Sequence, residues 1–476
     1  MGSQELLLYD IHDAVIFPPS TSDWEKKSFS GVLRSDLIKK LNVTPDMFAD
    51  ALLMTGTSFL PPFPPLQDET IITRQPFSIL DAVNLLRTSE KSITTTCAAF
   101  GDILQLRDPN WLDKFRKAKM GVKHCVKVHE DGSVQIREFE NLTSDNVEYL
   151  GLQLPPELYH YLSKALIGPR LMNSFGSLES TVFPTLDGVL SDEYRRLVTT
   201  SLPPLKETAS ALISSRIHRG FQYKNINMKF WFDSSLKQEL VHRTVVAQTN
   251  QKGDKWGVRD ADLETQKAAT KKEPGTFAFA VSALQEKDFP EKTVSKVVFG
   301  LKTPTEVASN AIWRLLHLRG YIDDQHQLTN WGKALSVSLN AIQPTVLAYE
   351  DTHHIQEAVF LAYELIRFDN LNSRNRHTEL IGGPLRGSDE DKASCILIGR
   401  TACLLKLRHK NIGYTGPLSK NFLSFYSIIK AVRECDRDLL EAITASMFLS
   451  GQANRDQDVR SLGRRQVFLN CMYAQC

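Results

Sequence analysis

Apolar residues recur at helical spacing through most of the chain. Thr44 and Pro45 supply the N-cap and first position of one such helix, whose apolar stripe continues to Leu52. Four prolines between Pro61 and Pro65 cannot donate helical hydrogen bonds, so we expect this helix to end before them. Similar stripes predict helices within 76–118, 155–219, 305–318, 329–339, 351–370, 389–410 and 418–449.

Two patterns near the start of the chain predict β-strands. Glu5–Tyr9 is a short apolar run of the kind found in buried parallel strands. Residues 122–138 alternate on either side of Asp131-Gly132, a dipeptide typical of hairpin turns. The predicted fold class is therefore mainly α, with an α/β remnant at the beginning.

Length and composition predict several domains. A chain of 476 residues exceeds one core, because single cores stop growing near ~250–300 residues. The polar segment 250–275 has no apolar stripe and predicts a linker or flexible loop. The predicted divisions are an α/β remnant (1–75), a helical middle module with a hairpin near 122–138 (76–249), the linker (250–275), a C-terminal domain (276–454) and an uncertain tail (455–476).

Charge and cysteine usage narrow the function classes. The 57 basic and 55 acidic residues nearly cancel, so any nucleic-acid binding must be local. Seven cysteines without a CxxC pair predict a reducing, cytoplasmic location, and no apolar run reaches the ~18–20 residues that a membrane span needs. His124, Cys125 and His129 lack a fourth ligand, so no metal site is predicted.

The first seventy residues carry an ordered set of nuclease-like features. Gly2-Ser3 leads into Glu5–Tyr9, and Phe48–Phe59 follows. This order resembles the later half of a nuclease domain of the flap-endonuclease (XPG/PIN-like) superfamily. In that superfamily clustered carboxylates hold two Mg²⁺ ions. Ser58 stands where the resemblance requires an aspartate, which implies a pseudonuclease with no cofactor; the alternative is that Ser58 is an ordinary serine at a helix end.

Segments of the second half carry a further resemblance. Residues 328–335, 357–367 and 413–431 resemble the C-terminal region of the fungal MKT (maintenance of killer toxin) family of post-transcriptional regulators. The resemblance implies a cytoplasmic adaptor in mRNA regulation. The partner it implies is the ataxin-2-like poly(A)-binding-protein-binding protein, with mRNA and ribosome-associated complexes as further candidates and no membrane.

Two other functions stay open at this point. One is an active, Mg²⁺-dependent flap-type endonuclease in which Asp10 or Asp13 contributes to the metal site. The other is a regulator that binds RNA directly. Residues 303–340 resemble a winged helix, a module that reads nucleic acid when its second helix has an exposed basic face. The candidate RNA-binding residues are Arg314, Arg319, Arg400, Lys406, Arg408 and Lys410; the alternatives are a protein-packing winged helix and a solvated helix face.

An unusually apolar stretch within 418–449 is the candidate partner-binding site. At helical spacing Phe422, Phe425, Tyr426 and Ile429 share one face, and Leu423 and Ile428 lie off it. Exposed apolar surface of this kind typically marks an interaction site. The candidate residues are Phe422, Leu423, Phe425, Tyr426 and Ile428, and the alternative is that all of them belong to the core of a helical bundle.

Overall fold

The chain divides into two compact units. They are Met1–Gln153 and Leu154–Cys476. The boundary differs from those predicted near 75 and 249, so the predicted middle module is divided between the units. The computed structural model describes residues 2–10, 13–17, 30–129, 133–141, 154–286, 288–294, 300–342, 352–372, 386–404 and 420–453.

Both units are mainly helical, which confirms the mainly α part of the predicted fold class. In the first unit the α-helices are α1 Arg34–Leu41, α2 Pro45–Met54, α3 Ile79–Thr88, α4 Ile93–Ala99, α5 Gly101–Arg107 and α6 Trp111–Lys123. Short 3-10 helices cover Gln4–Leu8, Pro64–Gln67 and Phe139–Asn141. Two antiparallel strand pairs complete its described part: β1 Ala14–Ile16 with β2 Gly31–Leu33, and β3 Val126–Val128 with β4 Val134–Ile136.

Local sequence explains where α2 begins and how the chain continues beyond its end. The Thr44 hydroxyl accepts a hydrogen bond from the Met47 amide at 3.2 Å, as expected of an N-cap. The proline segment then packs on α6, because Trp111 Nε1 donates to the Pro61 carbonyl at 2.9 Å. The ring centroids of Phe63 and Trp111 lie 4.6 Å apart. The helix ends before the prolines, as predicted, but they are not what ends it, because its last residue is Met54 and Gly56 follows with a φ of +95°.

The two predicted strand features have different outcomes. The hairpin is confirmed by the pairing of β3 with β4, although Asp131 and Gly132 lie outside the described residues. Glu5–Tyr9 is not a strand, since Gln4–Leu8 forms a 3-10 helix. Leu7 and Leu8 are buried as the apolar run indicates. A run this short does not distinguish a buried strand from a buried helical turn.

The second unit is organised around one long helix. Its helices are α7 Pro156–Ser163, α8 Pro169–Ser177, α9 Asp192–Arg196, α10 Pro203–Ser214, α11 Arg219–Gln222, α12 Val246–Gly253, α13 Asp260–Thr270, α14 Phe277–Ala283, α15 Asp288–Val294, α16 Pro304–Leu318, α17 Asn330–Asn340, α18 Thr352–Arg367, α19 Asp389–Ala402 and α20 Lys420–Leu449. A π-helical turn covers Leu197–Ser201 and a 3-10 turn covers His242–Thr244. The 30-residue α20 packs against α10, α16 and α18. No helix in the described ranges combines the length and apolar character that crossing a bilayer requires.

A small mixed sheet flanks these helices. Its order is β5-β6-β7, with β5 Glu179–Val182, β6 Ile226–Phe230 and β7 Asp233–Leu240. β5 runs parallel to β6, with Glu179 opposite Asn227, and β6 runs antiparallel to β7. Alternate residues of β6 are buried, which seats one face on the helices. β5 lies in a segment that the sequence predicted as helical.

The segment 250–275 is not the predicted linker, because it contains the end of α12 and all of α13. The segment also contains three buried residues, Trp256, Val258 and Leu263, none of which is more than 3% exposed. The ring centroids of Trp256 and Trp313 are stacked 5.5 Å apart. The segment folds without an apolar stripe along its own helix, because its few apolar residues pack against α16.

Residues 303–340 have the predicted order of elements. α16 ends before Gly320, whose φ of +73° is a left-handed conformation that favours glycine. A single antiparallel bridge joins Ile322 to Leu328, and α17 follows. The order of helix, short strand pair and helix is confirmed, and the winged-helix assignment stays a prediction.

Candidate partner-binding site

The N-terminal turns of α20 separate into a buried and an exposed face. Phe425, Ile428 and Ile429 are 2%, 1% and 2% exposed and belong to the core. Phe422 is 51% exposed, and Leu423 and Tyr426 are half-buried. Phe425 and Ile428 are therefore structural, and their predicted role in partner binding is wrong. Phe422, Leu423 and Tyr426 remain on the outer side.

Helix geometry places these three outer residues between two flanking elements. At 100° per residue, Phe422 and Ser427 lie roughly 140° apart around the helix, with Tyr426 and Leu423 between them. On the Phe422 side, a β-carbon at Gly399 of α19 would lie 3.4 Å from Cε1 of the Phe422 ring. On the other side, the Leu186 amide donates to the Ser427 hydroxyl at 2.9 Å.

The flanking elements also expose apolar side chains. Ile398 on α19 is 68% exposed, and Leu186 in the loop after β5 is 50% exposed. The result is an apolar surface on which Leu423 and Tyr426 lie between the two flanking contacts around α20. We call it the α20 groove, and its residues are Leu186, Ile398, Phe422, Leu423 and Tyr426. Ile398 and Leu186 were missed by sequence reasoning, because they come from segments far from α20 in the chain.

Arg400 is buried next to the α20 groove. It is therefore not placed to bind RNA at the protein surface. It is 6% exposed and pairs with Glu193 at 2.9 Å. It also donates to the Asn370 carbonyl at 2.7 Å, and its guanidinium lies 4.8 Å from the Phe425 ring centroid. These contacts attach α19 to α9, to Asn370 after α18 and to α20. The other predicted members of this patch, Lys406, Arg408 and Lys410, lie outside the described residues.

The predicted basic face of α16 does not exist, because its residues point into the core. Arg314, His317 and Arg319 are 2%, 0% and 8% exposed. Arg314 donates to the Trp256 carbonyl at 2.7 Å. A guanidinium in this position cannot contact a nucleic acid lying on an exposed helix face, so the prediction for Arg314 and Arg319 in that role is wrong.

Arg319 instead belongs to a buried ionic network that joins α16, α18 and α20. Its Nε donates to Glu364 Oε2 at 2.7 Å, and the Tyr321 hydroxyl donates to Glu364 Oε1 at 2.7 Å. Asp436 of α20 lies 3.9 Å from the Arg319 Nε. Burial and the nearby Glu364 carboxylate raise the pKa of Asp436 well above its ordinary value. The network links the middle of α20, at Asp436, to α16 and α18.

Ser58 in the first unit is bonded to a single carboxylate. Its hydroxyl donates to Glu5 Oε2 at 2.8 Å, and its amide donates to Glu5 Oε1 at 2.5 Å. Asp10 pairs with Arg34, and Asp13 accepts hydrogen bonds from Ser35. Within the described ranges, no three His, Cys, Asp or Glu side chains are placed to hold a metal ion.

Two family models match the chain, and both are described as temperature dependent protein affecting M2 dsRNA replication. The MKT1 N-terminal model matches residues 143–232, and the MKT1 C-terminal model matches residues 314–472. The two segments together make up about half of the chain. The C-terminal match includes α19 and α20, two of the three elements that form the groove.

Three curated relatives are named as post-transcriptional regulator MKT1. The protein from Cryptococcus neoformans is 24% identical over 96% of this chain and 60% of its own length. That from Saccharomyces cerevisiae is 24% identical over 67% of this chain and 39% of its own length. That from Schizosaccharomyces pombe is 20% identical over 91% of this chain and 57% of its own length. The chain thus spans less than two thirds of these relatives.

The chain belongs to the MKT family, as the resemblance of its second half predicted. No solved structure is significantly similar to it. The resemblance of the first seventy residues to the XPG/PIN-like superfamily is a separate matter and stays a prediction.

Proposed function

We propose that the chain is a post-transcriptional regulator that acts in the cytoplasm by binding protein partners and has no catalytic activity. The names of the three relatives support the regulatory role. The α20 groove supports the mode of action, because it gathers apolar side chains from three elements on one exposed surface. Contiguous exposed apolar surface is typical of interaction sites.

The small size of the α20 groove favours a short partner segment. It consists of five apolar side chains, of which Leu423 and Tyr426 are half-buried and Leu186, Ile398 and Phe422 are exposed. A helix or extended peptide binds such a surface through a few apolar anchors and loses some affinity to its own ordering. We propose the ataxin-2-like poly(A)-binding-protein-binding protein as this partner, with mRNA and ribosome-associated complexes reached through it.

The positions of the alternative sites favour this function over its rivals. A nuclease of the flap type needs several carboxylates around two Mg²⁺ ions, whereas Ser58 is bonded to the single carboxylate of Glu5. Direct RNA binding through α16 would require Arg314 and Arg319 on the surface, and both are buried. We therefore also propose that the first unit is a pseudonuclease.

The test compares binding by the whole chain and by groove variants. Phe422→Asp and Ile398→Asp place a carboxylate at exposed groove positions, and Val337→Asp is the control. Val337 is 68% exposed on α17 and is not part of the groove. Binding of the purified ataxin-2-like protein, treated with RNase, is measured by isothermal titration calorimetry, with circular dichroism to confirm folding.

We expect each groove variant to weaken binding about tenfold or more, because truncating an interface anchor typically costs above ~1 kcal/mol. The control should bind like the wild type. If all three variants bound the partner as tightly as the wild type, the α20 groove would not be the binding site. Absence of binding by the folded wild-type chain would overturn the proposed partner.

A further inference from the structure

The strand β5 lies at the edge of the sheet in the second unit. The order β5-β6-β7 gives it one neighbouring strand, which is β6. The carbonyls of Leu178 and Val182 accept hydrogen bonds of 2.8 and 3.3 Å from amides in and just after β6. In a parallel pair, alternate residues of a strand bond to the same neighbour. The amide and carbonyl groups of Thr181 and Phe183 therefore point to the outer edge of the sheet.

Most of the backbone groups on this outer edge are unpaired. At its start the Glu179 amide donates to the Ser177 hydroxyl at 3.2 Å. At its end the Tyr194 hydroxyl donates to the Phe183 carbonyl at 3.5 Å. Between these contacts, the Thr181 amide, the Thr181 carbonyl and the Phe183 amide have no hydrogen-bond partner in the part of the chain that the structure describes. We call Thr181 and Phe183 the β5 edge.

The side chains of β5 alternate between the core and the solvent. Ser180 and Val182 are 9% and 7% exposed, whereas Thr181 is exposed and Phe183 is 71% exposed. Native proteins protect edge strands with charged residues, with proline or with a covering segment. Thr181 and Phe183 are neither charged nor proline, and Pro184 limits the edge to this short stretch. The β5 edge therefore offers unpaired backbone groups and an exposed aromatic ring to one short peptide segment.

The β5 edge is close to the α20 groove. Leu186, a residue of the groove, follows Val182 by four positions, and four residues of chain span at most about 14 Å. A strand rises ~3.3 Å per residue, so a segment of roughly eight residues can contact both the edge and the groove. A helix cannot pair with the edge, because its backbone N–H and C=O groups bond within the helix. A segment that uses both surfaces is therefore extended where it meets β5.

We propose that the β5 edge binds an extended segment of the partner protein, which joins the three-stranded sheet as a further strand. The backbone of this segment donates to the Thr181 carbonyl and accepts from the amides of Thr181 and Phe183. One of its apolar side chains packs on the Phe183 ring. In such strand addition, main-chain hydrogen bonds give affinity and alternate side chains give specificity. The inference rests on the proposed function and goes further, because it fixes the conformation of the segment that the α20 groove binds.

The first experiment uses a displayed library of random dodecapeptides, selected on the whole wild-type chain. The selected peptides are then titrated onto two variants. Thr181→Pro removes an N–H group that points away from β6, and an edge strand accepts proline at such a position. Thr181→Val is the matched control, because it keeps the N–H group and the β-branched shape. We expect the peptides to bind Thr181→Val like the wild type and Thr181→Pro at least about tenfold more weakly.

Residue-resolved amide exchange of the wild type gives a second readout that does not depend on the folding of Thr181→Pro. A saturating selected peptide should slow exchange at Thr181 and Phe183 about tenfold or more. Exchange at Ser180 and Val182 should change little, because their amides already face β6. The proposal is overturned if no peptide is selected, if every selected peptide binds the three proteins equally, or if the Thr181 and Phe183 amides gain no protection.

A final titration separates this inference from the proposed function. The ataxin-2-like protein is titrated onto the wild type and Thr181→Pro, with and without an edge-binding peptide. Binding that the peptide displaces and that Thr181→Pro weakens about tenfold supports the extended segment. Binding that neither change affects overturns it, because the partner then uses the α20 groove without the β5 edge. Peptide binding at the edge without any binding of the ataxin-2-like protein overturns the proposed partner and supports the edge as a site.

Discussion

Gly332, near the start of α17, is packed too closely for any side chain. A β-carbon there would lie 2.1 Å from the Tyr321 carbonyl oxygen and 3.1 Å from Cδ2 of Leu328. The carbonyl is not free to move, because it accepts hydrogen bonds from the Thr329 amide at 3.0 Å and the Thr329 hydroxyl at 3.1 Å. Gly332→Ala must therefore shift α17 or break the contact between Tyr321 and Thr329.

The size of the effect follows from three contributions. Overpacking costs typically about 1–3 kcal/mol, and each lost hydrogen bond adds about 1 kcal/mol. The higher helix propensity of alanine offsets about 1 kcal/mol of this. We expect Gly332→Ala to lower the free energy of unfolding by about 2–3 kcal/mol and to increase amide hydrogen exchange at Thr329, both measured on the whole chain.

Gly121→Ala is the matched control, because Gly121 lies inside α6 and a β-carbon there would meet no atom within 4 Å. Helix propensity alone then acts, and the substitution should be neutral or stabilising by up to about 1 kcal/mol. If Gly332→Ala were as stable as Gly121→Ala, with unchanged exchange at Thr329, the close packing at Gly332 would be refuted.

Three further predictions concern buried groups of the second unit. Gly168→Ala places a β-carbon 3.0 Å from the Glu441 Oε2 and should lower the free energy of unfolding by about 1–2 kcal/mol. Urea unfolding measures this, and an unchanged midpoint would refute it. Arg319→Met removes one of the two guanidinium partners of the buried Glu364 and leaves Arg367 at 3.2 Å, so it should cost up to about 3 kcal/mol, less than for a fully uncompensated carboxylate. The loss should be smaller in the double variant Arg319→Met/Glu364→Gln, and a double variant less stable than the single one would contradict this. Burial lowers the pKa of His326 to about 4, so its unfolded form takes up a proton first as pH falls below its ordinary 6.5. Stability from this group is full above pH 6.5 and decreases towards pH 4, by about 2 kcal/mol at pH 5, and His326→Gln should reduce this pH dependence in denaturation measured from pH 7 to 5.

Features that depend on neighbouring residues in the chain were predictable from sequence. Thr44 caps α2 through its own first turn, and the alternation around 122–138 forms a hairpin. Residues 303–340 keep their predicted order because a capping residue, a positive-φ glycine and a short bridge each follow local rules. The family resemblance rested on patterns of the same local kind.

Features that depend on distant partners were not predictable. Arg400 resembles a solvated basic residue in sequence, but its partner Glu193 is 207 positions away. Arg319 likewise pairs with Glu364, 45 positions away. The burial of Trp256 could not be predicted from the polar segment 250–275, because a single large apolar residue produces no periodic pattern. Whether an isolated charged or aromatic residue is buried or exposed depends on its tertiary contacts, which the sequence pattern does not show.

The candidate site shows both behaviours. Phe422, Leu423 and Tyr426 were selected from the apolar content of one stretch, and they face outward. Phe425 and Ile428 were selected with them, but the neighbouring helices bury both. Sequence periodicity identifies the faces of a helix, and only the packed structure decides which face remains exposed.

The central claim is that the α20 groove binds a protein partner, and hydrogen exchange of the whole chain tests it most directly. Amide exchange is measured by mass spectrometry with and without a saturating concentration of the ataxin-2-like protein. If the partner binds there, exchange should slow on binding in the segments that carry the groove, which are 184–190, 396–404 and 420–430, and should stay unchanged in α17. Saturated binding with protection confined to other segments would contradict the account.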